Sequence, residues 1–86
     1  MTTNEKINSL TAGTKIIHNG KTYEVKSLYL QAKKINRWIV SILEVGKPET
    51  RMVNGIGLAK GQIFEISNII TITVSNYQTE NNWQLA

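Results

Sequence analysis

The chain has 86 residues, ten Lys and Arg against six Glu, no aspartate and no cysteine, and a formal net charge of +4. That length supports one core and one domain. The missing cysteines exclude disulfides, thiolate metal sites and cysteine nucleophiles, and no apolar run is long enough to span a bilayer as a helix.

The start Met1-Thr-Thr-Asn-Glu-Lys6 lacks the basic opening and apolar centre of a signal peptide, and no Asn-x-Ser/Thr sequon occurs. A soluble cytoplasmic protein is the expectation. Frequent Ile, Asn and Lys, all with AT-rich codons, suggest an AT-rich bacterial, plasmid or phage genome.

Residues 1–12 read as a short N-terminal helix or arm. Thr2 and Glu5 stand at capping-box spacing, and Ile7 and Leu10 share one helical face. So short a helix persists only by docking those two side chains on the domain. Gly13 ends it.

A first strand is expected at about Thr14 to His18 and a second at about Lys21 to Gln31. Between them Asn19-Gly20 suits a type I′ turn, which needs positive φ at both central residues. The second strand carries a conflict of phase. Tyr23 and Val25 fall on one face, Leu28 and Leu30 on the other, so a bulge or bend near Lys26-Ser27 is required to aim both sets at one core. The alternative is a strand covered on both faces.

Ala32 to Asn36 reads as a basic loop and Arg37 to Val45 as the strongest strand. Gly46-Lys-Pro-Glu49 is a turn. Asn54-Gly55 repeats the hairpin signal between Arg51-Met52-Val53 and Ile56-Gly57-Leu58. A short strand at Gln62 to Ile66, a 3₁₀ turn at Ser67-Asn68 and an alternating strand through Ile70, Ile72 and Val74 complete a domain at 13–75. Residues 76–86 are rich in polar amides and read as a loosely held tail, to which Trp83 and Leu85 give a means of packing back.

About five short strands, a bent second strand, a short turn before the last strand and the opening Leu10-x-x-Gly13-Thr14-Lys15-Ile16 together resemble the Src-homology-3-type small β-barrels, Tudor-like and KOW-like modules included. The resemblance covers roughly residues 13–75. It implies a mainly β, five- to six-stranded SH3-like barrel with a short N-terminal helix; an OB-like barrel is the alternative. It also implies a binding module. The aromatic and acidic peptide-binding motif of the signalling members is missing, as is the aromatic cage of methyl-lysine readers, so no functional residues carry over.

Catalysis is poorly provided for. His18 is the sole histidine and sits at a turn, where a structural or solvated role is commoner than catalysis. Glu24, Glu44, Glu49 and Glu65 stand singly, unpaired by spacing for acid–base work or metal binding. Gly55 to Gly61 misses the spacing of both the dinucleotide fingerprint and the P-loop. No enzyme activity, cofactor or metal is expected.

What stands out is basic charge. Lys15, Lys21, Lys26, Lys33, Lys34 and Arg37 face Glu24 alone over residues 15–37, with Tyr23, Tyr29 and Trp38 interleaved. Cations offset phosphates and rings stack on unpaired bases. Lys26, Lys33, Lys34, Arg37, Tyr29 and Trp38 are therefore the expected nucleic-acid surface. The competing expectation is a protein-binding adaptor or inhibitor, of the kind phages and plasmids encode. It would act through Leu28, Leu30, Tyr29 and Trp83, or self-associate into a homo-oligomer.

Overall fold

The structure is a computed structural model that describes residues 1–77 and 82–86. Its elements in chain order are α1 (Thr3–Asn8), β1 (Lys15–His18), β2 (Lys21–Ala32), a 3₁₀ turn (Lys33–Ile35) and β3 (Arg37–Glu44). There follow β4 (Thr50–Asn54), a second 3₁₀ turn (Gly57–Ala59), β5 (Ile63–Ser67), β6 (Ile70–Val74) and β7 (Trp83–Leu85). The chain is mainly β with a short N-terminal helix.

Helix α1 begins as its capping box dictates. The Thr2 Oγ1 accepts from the Glu5 N–H at 3.2 Å, and Glu5 Oε1 accepts from the Thr2 N–H at 3.2 Å. Six residues cannot hold a helix in water. Ile7 and Leu10, both buried, anchor it to the core.

Two sheets form. The larger has the order β6-β3-β2-β1-β7, and β4-β5 is a separate two-stranded arm. Neither sheet closes into a barrel. Asn19 (φ 52°) and Gly20 (φ 77°) make the turn that sets the β1–β2 register, with His18 opposite Lys21. In β2 the register against β3 shifts between Val25 and Ser27. That bulge at Lys26 resolves the phase conflict, because Val25, Leu28 and Leu30 then stand opposite Ile42, Val40 and Trp38 on a single face.

The core lies on that face. It joins Ile16, Tyr23, Val25, Val40, Ile42 and Val74 to Ile7 and Leu10 of the N-terminal segment and to Trp83 of β7. Burial of such side chains stabilises by about 1.5–3 kcal/mol each.

Three expectations change here. The tail expected at 76–86 is in part a sheet strand: β7 pairs antiparallel with β1, setting Trp83 against His18 and Leu85 against Ile16. Residues 78–81 of that segment lie outside the described residues. The second Asn-Gly does not make a tight hairpin. Gly55 lacks the positive φ that a type I′ turn needs, and Ile56 to Leu58 is no strand. The turn is carried instead by the whole segment 55–62, closed by the Gly55 N–H donating to the Gln62 carbonyl at 2.7 Å. The base of the arm is clamped by Asn68, whose backbone N–H donates to the Glu49 carbonyl (2.7 Å) and whose Nδ2 donates to the Pro48 carbonyl (2.9 Å). No 3₁₀ turn forms at Ser67-Asn68.

Gly55 is needed for space. A Cβ there would overlap the Ala59 carbonyl oxygen and lie 2.8 Å from Phe64 Cε2. Gly55→Ala is therefore expected to force the arm tip apart and lower stability by about 1–3 kcal/mol, read by urea unfolding.

Candidate binding surface

Period-two geometry puts every second residue of β2 and β3 on the sheet's outer face. After the bulge these are Ser27 and Tyr29 on β2, opposite Ser41 and Ile39 on β3, which in turn stand opposite Thr71 and Thr73 on β6. The outer surface is thus a band of short hydroxyls with two apolar side chains, Tyr29 and Ile39. Tyr29 is 68% exposed, so it is available for contact.

Where β2 ends, Lys33 and Lys34 project from the 3₁₀ turn, both exposed. The turn closes at Asn36, which adopts the left-handed conformation (φ 50°). The Asn36 Nδ2 donates to Asn4 Oδ1 (3.2 Å) and Asn8 Oδ1 (3.1 Å), tying the turn to α1. The Asn36 Oδ1 accepts from Trp38 Nε1 at 2.8 Å.

Charge is distributed unevenly. Lys26 lies 3.6 Å from Glu24 and 3.7 Å from Glu49; Lys15 also reaches Glu24, and Lys21 and Lys47 share Glu44. These partly exposed pairs contribute little stability, but they leave the start of β2 nearly neutral. Among the described residues Lys33 and Lys34 have no ion-pair partner. The uncompensated charge of this corner is therefore theirs.

The structure divides the residues expected to bind. Tyr29 on β2 and Lys33 and Lys34 in the turn after it face solvent, and Arg37 at the start of β3 is half-buried and engaged in a contact of its own. Lys26 is tied into the Glu24–Glu49 cluster. Trp38 turns to the inner face, opposite Leu30 and Val74, and packs against the core, so it presents no outward ring for stacking. Of the alternative set, Leu28 packs against the core, Leu30 is 40% exposed at its edge, and Trp83 is 4% exposed within it. Trp83 thus supports the fold and offers no anchor to a partner.

Sequence reasoning passed over the arm. Met52, Ile56, Leu58 and Ile63 are 62%, 87%, 109% and 65% exposed. The available signal was the pair Ile56 and Leu58, apolar residues set among turn glycines where solvated side chains are usual.

The lone histidine is structural. His18 is buried, its Nδ1 donates to the Asn82 carbonyl at 3.0 Å, and its ring meets Tyr23 edge-on at 6.0 Å. A surface hollow of about 400 Å³ beside the Asn19-Gly20 turn is lined by Ile17, Trp83 and Gln84 among others, none ionisable. Among the described residues no group of three His, Cys, Asp or Glu could hold a metal, and no helix is long and apolar enough to cross a membrane.

No protein-family model matches the chain, and no curated protein or solved structure matches it.

Proposed function

We propose that this chain is a non-enzymatic binding module that takes single-stranded nucleic acid on the outer face of β2 and β3. The observation that carries the reading is that Tyr29 near the end of β2 and Lys33 and Lys34 in the turn that follows it are all exposed, the two lysines without carboxylate partners among the described residues. A base stacks on any flat ring regardless of its identity, while lysines hold the backbone, and the Ser and Thr hydroxyls offer further donors. Arg37 follows at the start of β3. The strand order β6-β3-β2-β1-β7, with a long bent β2 at its centre, supports reading the fold as an opened SH3-like barrel.

Affinity for a mixed-sequence single-stranded oligonucleotide is expected to fall steeply with salt. Each phosphate contact contributes about 0.7 to the slope of log affinity against log salt, so Lys33→Ala with Lys34→Ala should reduce that slope by about 1.4. Tyr29→Ala should weaken binding by about 1–3 kcal/mol at every salt concentration. Absence of binding at low salt would overturn the reading.

A further inference from the structure

The β4-β5 arm is a sheet separate from the core sheet, and no element among the described residues covers it. Its register places Val53 opposite Phe64 and Arg51 opposite Ile66 on one face. On that face Phe64 lies close to Gly55 and is 42% exposed. The other face carries Met52 opposite Glu65 and Asn54 opposite Ile63, and with Ile56 and Leu58 at the tip it leaves four large apolar side chains in water. A lone two-stranded ribbon is marginally stable, and both of its backbone edges are templates for another strand.

We propose that the arm pairs with the same arm of a second copy, β4 to β4, forming a continuous four-stranded sheet β5-β4-β4-β5 around a two-fold axis at Met52. Charge permits a second copy as the partner and distinguishes the two edges. Arg51 and Lys60 stand against Glu65 in the arm and Glu49 at its base, where Glu49 also pairs with Lys26, so residues 49–68 carry no net charge and the chain's +4 resides elsewhere. Two arms therefore meet without the repulsion that two basic bodies would suffer.

Antiparallel pairing of β4 with itself about Met52 sets Thr50 opposite Asn54 and Arg51 opposite Val53 across the axis. No like charges stand directly opposite, and the two Met52 side chains touch at the centre. The same operation on β5 is centred on Glu65 and places two carboxylates about 5 Å apart, which is unfavourable. The isologous β4 contact is closed, so it yields a dimer and no fibre. It uses none of the residues proposed for nucleic acid and stands independently of that reading.

Sedimentation equilibrium of the full chain should show a concentration-dependent dimer. Met52→Lys alone and Met52→Glu alone should each be monomeric, because like charges then face each other across the axis. Mixing the two should restore the doubled mass. Circular dichroism should report the native β signal throughout, since Met52 is exposed. The chain lacks cysteine, so Met52→Cys supplies a clean second probe. Oxidation should link it into a covalent dimer, as Cα atoms directly opposite on paired strands lie within disulfide range, whereas Glu65→Cys should dimerise without forming the covalent link. A wild-type monomer up to the solubility limit, a Met52→Lys dimer, a mixture that stays monomeric, or equal linking through position 65 would each overturn the proposal. An arm that a different protein or a lipid surface covers would give the first of these results.

Discussion

Trp83→Ala is expected to lower the unfolding free energy by about 3 kcal/mol, the low end of the range for removing a large buried aromatic. Trp83 is 4% exposed, joins the core cluster through β7, and receives Lys6 Nζ of α1 at 5.3 Å from its ring centroid. Its loss would thus loosen α1, β7 and the adjoining end of β1 together. The low end of the range applies because the indole Nε1 is buried with no hydrogen-bond partner among the described residues. An orphaned buried donor costs about 1–3 kcal/mol, and that penalty disappears with the ring. For a domain of this length each kcal/mol corresponds to roughly 4–8 °C, so the melting temperature should fall by about 12–24 °C.

Trp83→Phe separates the two terms. It keeps most of the buried area and removes the orphaned donor, so its stability should stay within about 1 kcal/mol of the wild type. Urea unfolding of both variants is the measurement. A Trp83→Ala variant that loses less than about 1 kcal/mol would show that β7 is not part of the cooperative core.

That this residue reads as tail in the sequence has a physical cause. A strand is recognised by alternation over four or more residues, and β7 has only Trp83 and Leu85 separated by one glutamine. Its strand character comes from docking on Ile16 and His18, far away in the chain. Asn19-Gly20 is legible because its requirement is local, two adjacent positive φ values. Asn54-Gly55 has the same letters and a different outcome: Gly55 lacks positive φ and packs closely against Ala59 and Phe64. The turn there spans residues 55–62, so the dipeptide alone does not specify it.

The bulge at Lys26 is legible for another reason. Two apolar pairs out of phase on one strand leave few physical solutions, and the chain adopts the simplest. β3 offers no such constraint. Trp38, Ile39, Val40, Ile42 and Leu43 are apolar on both faces, so the sequence leaves open whether Trp38 points inward or outward. Only the register with Leu30 and Val74 decides it. The site is legible to the same extent: Tyr29, Lys33 and Lys34 by their setting in β2 and the turn, but neither Trp38 nor the arm.

Asn36→Ala should cost about 2–3 kcal/mol and also weaken oligonucleotide binding, although Asn36 itself carries no charge. Asn36 does three things at once. It tolerates the left-handed conformation that ends the 3₁₀ turn, it bonds Asn4 and Asn8 of α1, and it accepts the Trp38 indole proton. Alanine resists positive φ, and it leaves the half-buried Trp38 donor without its acceptor. Glycine restores only the backbone tolerance, so Asn36→Gly should fall between wild type and alanine. Aspartate keeps the acceptor for Trp38, and the Asn4 and Asn8 amides can rotate to donate to it, so Asn36→Asp should be the mildest of the three. Binding should report the same order for a structural reason, since this residue fixes the turn that presents Lys33 and Lys34. The salt slope should stay at the wild-type value in Asn36→Ala, because the phosphate-binding charges remain, and only the affinity should drop. A slope reduced as far as in the Lys33→Ala, Lys34→Ala variant would mean that the two lysines no longer reach the backbone at all. An unchanged affinity would mean that the turn does not position them.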